Sequence, residues 1–254
     1  MSAAERFVAI LGLAFLRYLP PVALPALSPL RWAPVQLRIA LALALAWLTA
    51  LSQPVAALQG VANGNGLALA AICEIAIGVT FGLAVAIPQG ALHMSGWLSD
   101  IQTGTGAAQL FNPGAQGDVD SLIGTALMLA TTVLFFTLDL HLTLYRALVA
   151  SIDVLPVGAL AFRFDPEAFF GMVGASFLFG LMVMAPVMLG LFAVDVGVAY
   201  ATRSMPQANV YFLMLPLKIL VSLLLLMATL PFMPALLGRL FRDAFSRLPA
   251  MVGA

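Results

Sequence analysis

The sequence has 254 residues, 63% of them hydrophobic and only 9% charged, with 11 basic and 11 acidic side chains and no net charge at neutral pH. A water-soluble globule needs about 25% charged residues to cover its surface, so an ordinary soluble domain is excluded. The zero net charge gives no pointer to nucleic acid. Cys73 is the only cysteine, which leaves no internal disulfide and no cysteine-built metal cage; it lies in an apolar run and reads as a small packing residue.

Six apolar segments follow one another, each near the roughly 20 residues that cross a bilayer as a helix. The first covers about 7–27. It starts after a single basic residue, Arg6, and continues past Arg17 with no convincing small-residue cleavage site, so it is expected to be a membrane helix and not a removed signal peptide. Pro20, Pro21, Pro25 and Pro29 are expected to bend or end it. The second segment, about 35–51, stops before Pro54 and a turn rich in glycine and asparagine (Gly60, Asn63, Gly64, Asn65, Gly66). The third covers about 67–88, the fourth 122–150, the fifth 169–200 and the sixth 210–237. Before the fifth, Asp165-Pro166-Glu167 has the form of a helix start, with Asp165 as cap and Pro166 at the first helical position. Alternating polarity is absent, and unpaired backbone cannot sit in lipid, so the expected fold is all-α and polytopic. Pro88, Pro186 and Pro216 lie in or at the ends of these runs, and several segments are expected to bend there into helical hairpins.

The longest connection, about 89–121, contains Gly90, Gly96, Gly104, Gly106, Gly114 and Gly117 among polar residues, with Leu110 and Phe111 as an apolar tip. Composition leaves two readings open, an exposed linker or an element that lines or closes a passage. With six spans the termini share a side that collects Arg6, Arg163, Arg239, Arg242 and Arg247, against Arg31, Arg38 and Arg203 opposite. The balance leans towards cytoplasmic termini. The chain is read as one membrane domain, 1–254, with the polar connection at its centre and a C-terminal helical part from about 166.

Ionisable residues inside the apolar runs are the most informative local feature, because a charge at the bilayer centre costs at least ~2.5–3.5 kcal/mol and normally faces protein or water. They are Arg17, Glu74, Asp139, Arg146, Asp195 and Lys218. Either they form structural pairs and subunit contacts, or Glu74, Asp139 and Asp195 form a proton relay with His141 as shuttle. Gly78 and Gly82, one and two turns after Glu74, make a step of small residues that lets two helices approach closely. Enzyme signatures are missing. His93-Met94-Ser95-Gly96 lacks the G-x-S-x-G elbow, two histidines and one cysteine are too few for a zinc site, and Gly104-Thr105-Gly106 is no phosphate loop. No catalytic residue, metal or cofactor is expected.

Near the C-terminus, Arg203-Ser204-Met205-Pro206-Gln207-Ala208-Asn209-Val210 forms a polar elbow between two apolar runs, followed by Leu215-Pro216-Leu217-Lys218. This resembles the R-x-x-P-Q-x-N…P-L-K signature of the export-gate family that contains the flagellar protein FliR and its injectisome counterpart SctT. The resemblance extends along nearly the whole chain: Arg17 with its prolines, Pro34-Val35-Gln36-Leu37-Arg38, Glu74 with Gly78 and Gly82, Gly96, Asp100, Gln102, Gly104 and Asn112-Pro113, Asp139-Leu140-His141, and Leu155-Pro156-Val157-Gly158. It departs at Met205, where alanine is usual, and at Leu140, where the flagellar form usually has glycine.

The resemblance implies a structural subunit of a type III export gate in the bacterial inner membrane. Its partners would be FliP-like and FliQ-like membrane subunits, an FlhB-like subunit, and the unfolded proteins that pass through. It further implies that Arg203, Pro206, Gln207, Asn209, Pro216, Lys218, Glu74, Gly78 and Gly82 serve gate or subunit contacts, with Lys218 in an internal ion pair. The central loop, with Gln102, Gly104, Gly106, Leu110, Phe111, Asn112 and Pro113, would be the pore's plug. The 139–158 stretch and the Pro34–Arg38 region favour the flagellar form; Asp100-Ile101-Gln102 and Leu110 to Gly114 are similar to the injectisome form. A proton-coupled small-solute carrier is the alternative from another class.

Overall fold

The structure is a computed structural model that describes residues 3–24, 28–30, 33–52, 64–104, 121–160, 162–204 and 210–252. Among these residues every regular element is helical: α1 Ala3–Ala23, α2 Val35–Ser52, α3 Gly64–Thr103, α4 Leu122–Thr137, α5 Leu140–Val154, α6 Pro166–Ser204, α7 Val210–Thr229, α8 Met233–Ser246 and α9 Leu248–Val252, with a 3-10 turn over Leu230–Phe232. Five helices are long and apolar enough to cross a membrane, or six if the bent pair α4–α5 counts as one span. The chain is a multi-pass membrane protein.

Contacts divide the chain into two compact units. One comprises Met1–Ile87, Phe135–Val173 and Phe241–Ala254, and the other Pro88–Leu134 and Gly174–Leu240. In the first, α1 and α2 pack as an antiparallel pair. The Phe7 and Trp47 rings meet edge-on with centroids 5.5 Å apart, and the Tyr18 and Thr49 hydroxyls lie 2.9 Å apart. Pro20 and Pro21 fall in the last turn of α1, which ends two residues later.

The expected start of α6 is found. Asp165 Oδ1 accepts the backbone N–H groups of Glu167 at 2.9 Å and Ala168 at 3.4 Å, and Pro166 occupies the first helical position, where its missing N–H breaks no bond.

Two boundaries differ from the sequence reading. Helix α3 does not stop at Pro88 but continues to Thr103, so residues 89–103 are helix and not connection. The buried positions there, Ala91, Leu92, Ser95, Ser99, Asp100 and Thr103, recur at helical spacing. The buried stripe is small and hydroxylated, and composition reads such a stripe as loop. Ser95 and Ser99 return their hydroxyls to the carbonyls of Ala91 and Ser95, at 2.8 and 3.3 Å, so helix burial leaves neither unpaired.

The second difference lies in the fourth segment, expected as one run over 122–150. It is two helices bent by 66°, with Asp139 at the break in a left-handed conformation, φ 54°. Among the described residues this is the one broken pair. Helices α3 and α6 run on as helix through Pro88 and Pro186.

Candidate functional site

The first unit is organised around a buried ion pair. Arg17, on α1, and Glu74, on α3, are both fully buried. The Arg17 guanidinium grips the carboxylate through two nitrogens, Nε to Oε2 at 2.5 Å and Nη2 to Oε1 at 3.0 Å. Its other donors reach the last turn of α5 and the residue that follows the helix, with Nη1 to Ser151 Oγ at 3.2 Å and Nη2 to the Leu155 carbonyl at 2.9 Å. Glu74 Oε1 in turn accepts the Gly158 N–H at 2.8 Å.

The Leu155-Pro156-Val157-Gly158 turn therefore supplies one acceptor and one donor to the pair. Gly158 does so at φ 85°, a conformation that glycine takes without strain. A buried ion pair is tolerable only when further hydrogen bonds satisfy what the two partners leave over, and the turn provides them. Gly78 closes the same crossing. A Cβ there would collide with the Arg17 carbonyl and sit 2.9 Å from Pro20 Cδ. Pro21 has no N–H to offer that carbonyl, so the helix leaves it free to lie against Gly78.

The second unit repeats this logic with different residues. Asp100, near the end of α3, is buried, and its Oδ2 accepts the Ser121 hydroxyl at 2.5 Å and the Ile123 N–H at 2.9 Å. Ser121 Oγ accepts the Gly124 N–H at 2.8 Å. Together they cap the N-terminus of α4, where a negative charge meets the positive end of the helix dipole. The two helices touch through glycine: a Cβ on Gly96 would lie 2.5 Å from Gly124 Cα. Helix α6 approaches α3 in the same way, and a Cβ on Gly180 would lie 2.8 Å from the Ala91 carbonyl. Lys218, on α7, forms an ion pair with Asp195, on α6.

Several residues singled out in the sequence are placed by these contacts. Glu74 and Gly78 share the Arg17 crossing, and Gly82 is buried one turn on. Gln102 donates to the Met188 carbonyl at 3.1 Å, and Gly104 ends α3 at φ 85°. Arg203 is exposed in the last turn of α6, and Pro216 is exposed inside α7. Pro206, Gln207 and Asn209 of the elbow, and Gly106, Leu110, Phe111, Asn112 and Pro113 of the loop, lie outside the described residues.

The relay does not assemble as a chain of acids. Glu74 is taken up by Arg17 and Gly158, Asp195 has its own base in Lys218, and Asp139 is exposed at the α4–α5 break. Sequence reasoning missed Ser151 as a partner of Arg17, Ser121 as a partner of Asp100, and the close contacts of Gly124 and Gly180. The signal for Ser121 was present, since a serine just before an apolar run is a helix cap.

An apolar cavity of about 220 Å³ in the first unit is lined by residues that include Phe81, Val154, Leu155, Phe245 and Leu248. Its one hydroxyl, on Ser151, is already engaged with Arg17 and with the Leu148 carbonyl. It offers a solute no unused polar side chain.

The profile of the family described as "Bacterial export proteins, family 1" matches residues 8–244. The chain is 30% identical over 176 residues to the flagellar biosynthetic protein FliR of Aquifex aeolicus (strain VF5), covering 69% of this chain and 67% of that protein. It is 26% identical over 256 residues to FliR of Escherichia coli (strain K12), covering 98% and 96%. It is 30% identical over 158 residues to the Yop proteins translocation protein T of Yersinia pestis, covering 60% and 59%. With all but the ends of its sequence inside the matched region, the chain belongs to the bacterial export proteins, family 1.

Proposed function

We propose that this chain is the FliR-type subunit of a type III protein export gate, working in the bacterial inner membrane and most closely suited to the flagellar system. The observation that carries the reading is similarity to FliR proteins over nearly the full length, joined to an interior in which the buried acids are held by bases and backbone donors and so serve architecture. Large apolar side chains exposed on α6 and α7, such as Leu189, Phe192, Leu220 and Leu224, leave wide surfaces for lipid and for companion subunits. FliP-like, FliQ-like and FlhB-like membrane proteins are the partners proposed, and unfolded flagellar proteins the cargo. The chain contributes no chemistry of its own: it is a structural part of the passage. The similarity to the Yersinia translocation protein keeps an injectisome gate as the second reading.

Purification from the native membrane tests the assignment directly. The expected result is co-purification with two further small hydrophobic subunits; a lone monomer or homodimer that takes up a solute in vesicles would establish a carrier instead.

Residues near 102–117 are proposed as the plug of the passage, on the family resemblance. Deleting 104–117 is expected to raise ion conductance through the assembled gate several-fold. Conductance equal to that of the intact complex would show that the plug lies elsewhere.

A further inference from the structure

Buried hydroxyls in the second unit follow one habit. Ser95, Ser99, Thr131, Thr132, Ser222 and Thr229 each return the hydroxyl to a carbonyl of their own helix three or four residues back, at 2.7–3.3 Å. Ser176, on α6, departs from it. It is 1% exposed, and its Oγ is buried with no hydrogen-bond partner among the described residues. On α3 the side-chain amide nitrogen of Gln89, Nε2, is buried and unpartnered in the same sense. A buried polar group without a partner costs more than an ordinary hydrogen bond returns, so two of them at one crossing call for a shared partner.

The register of the α3–α6 contact brings the two groups to one level. All the residues concerned belong to the second unit, and the helices run the same way. A Cβ on Gly180 would lie 2.8 Å from the Ala91 carbonyl and 2.6 Å from Ser95 Oγ, and further along both helices Gln102 Nε2 donates to the Met188 carbonyl at 3.1 Å. Position 180 therefore faces 91–95. One turn back on each helix, position 176 faces 87–91, and Gln89 is the centre of that window. The amide and the hydroxyl form no direct bond, and the helices themselves seal both atoms from the surface, so no side chain of another molecule reaches them. A water molecule is the occupant that fits, since it needs only two to four polar partners and replaces a direct bond at little loss.

We propose that a buried water molecule joins α3 to α6 at this level, accepting one hydrogen bond from Gln89 Nε2 and another from the Ser176 hydroxyl. The crossing is then dry and tight at Gly180 and wet one turn away. The wet end falls beside Pro88, where α3 lacks a backbone N–H, so the bridge fastens α6 to α3 where the ladder of α3 is weakest.

The test uses the full chain, with any subunits that accompany it. A density map fine enough to show ordered water is expected to carry a peak about 3 Å from both atoms. No peak there, or a protein side chain in its place, would overturn the proposal. Thermal denaturation in detergent gives an independent reading that turns on a sign. Removing a hydroxyl that has no partner relieves a cost and raises the melting temperature, whereas removing one that holds a water leaves the Gln89 amide stranded and lowers it. Ser176→Ala and Gln89→Met are each expected to lower the melting temperature by about 2–4 °C. The double variant is expected to melt no lower than the worse of the two, because both changes end the same bridge. A higher melting temperature for Ser176→Ala, or losses that add in the double variant, would show that no water is shared.

Discussion

Replacing Arg17 with alanine is expected to cost about 3–5 kcal/mol and to deplete the protein from the membrane. The magnitude follows from what remains: Glu74 would stay fully buried with its negative charge and only the Gly158 N–H as a described partner, and stranding one member of a buried pair costs that much. Net stabilities of about 5–15 kcal/mol leave little after such a loss.

A graded series separates charge from geometry. Arg17→Lys keeps the positive charge but cannot span Glu74, Ser151 and the Leu155 carbonyl, which the guanidinium bonds through all three of its nitrogens. It is expected to fall between alanine and the native residue. Arg17→Leu with Glu74→Leu removes both charges and is expected to be less damaging than either single change. Thermal denaturation in detergent and steady-state level in the membrane measure both effects. An Arg17→Ala protein that melts with the native one would remove the buried pair from the list of what holds α1 to α3.

Gly78→Leu is expected to be comparably severe for a steric reason. Overfilling a packed site costs about 1–3 kcal/mol when side chains can move, but at Gly78 the obstacles are the Arg17 carbonyl, which is backbone, and the Pro20 ring, which is closed onto its own backbone nitrogen and cannot swing aside. The helices must separate, and separation pulls Arg17 away from Glu74. Gly90 is the internal control. It lies on the same helix, is exposed, and has nothing within 4 Å of an added Cβ. Gly90→Ala is expected to stabilise by up to about 1 kcal/mol through helix propensity alone. Equal melting temperatures for the two variants would show that the α1–α3 crossing is not set by Gly78.

What could be seen in the sequence, and what could not, divides along physical lines. The helices were visible because lipid forces long apolar runs to close their own hydrogen bonds, and the start of α6 was visible because Asp165-Pro166 carries its capping chemistry locally. That Arg17 and Glu74 each need a partner followed from the cost of a buried charge. Which partner each takes depends on contacts between residues 57 and more positions apart, and no local pattern encodes those. The second half of α3 was hidden for another reason. Beyond Ala91 and Leu92 its buried stripe is built from serine, threonine and aspartate, residues that composition assigns to loops, and their polarity is satisfied by the helix itself and by the start of α4. The bend at Asp139 was hidden because a non-glycine residue holds the left-handed conformation there.

The partners of Arg17 are strung out unevenly along the chain, Glu74 57 residues downstream and the Leu155 carbonyl 138 downstream. Biogenesis therefore meets the guanidinium long before its cradle exists. The nascent first helix carries an unmatched cation into or beside the insertion machinery until Glu74 is translated, and it reaches its final seat only when the Pro156–Gly158 corner has followed. Order of synthesis thus imposes a waiting period on the N-terminal end, during which translocase, chaperone or headgroup water must shelter a charge that the finished protein seals from all of them.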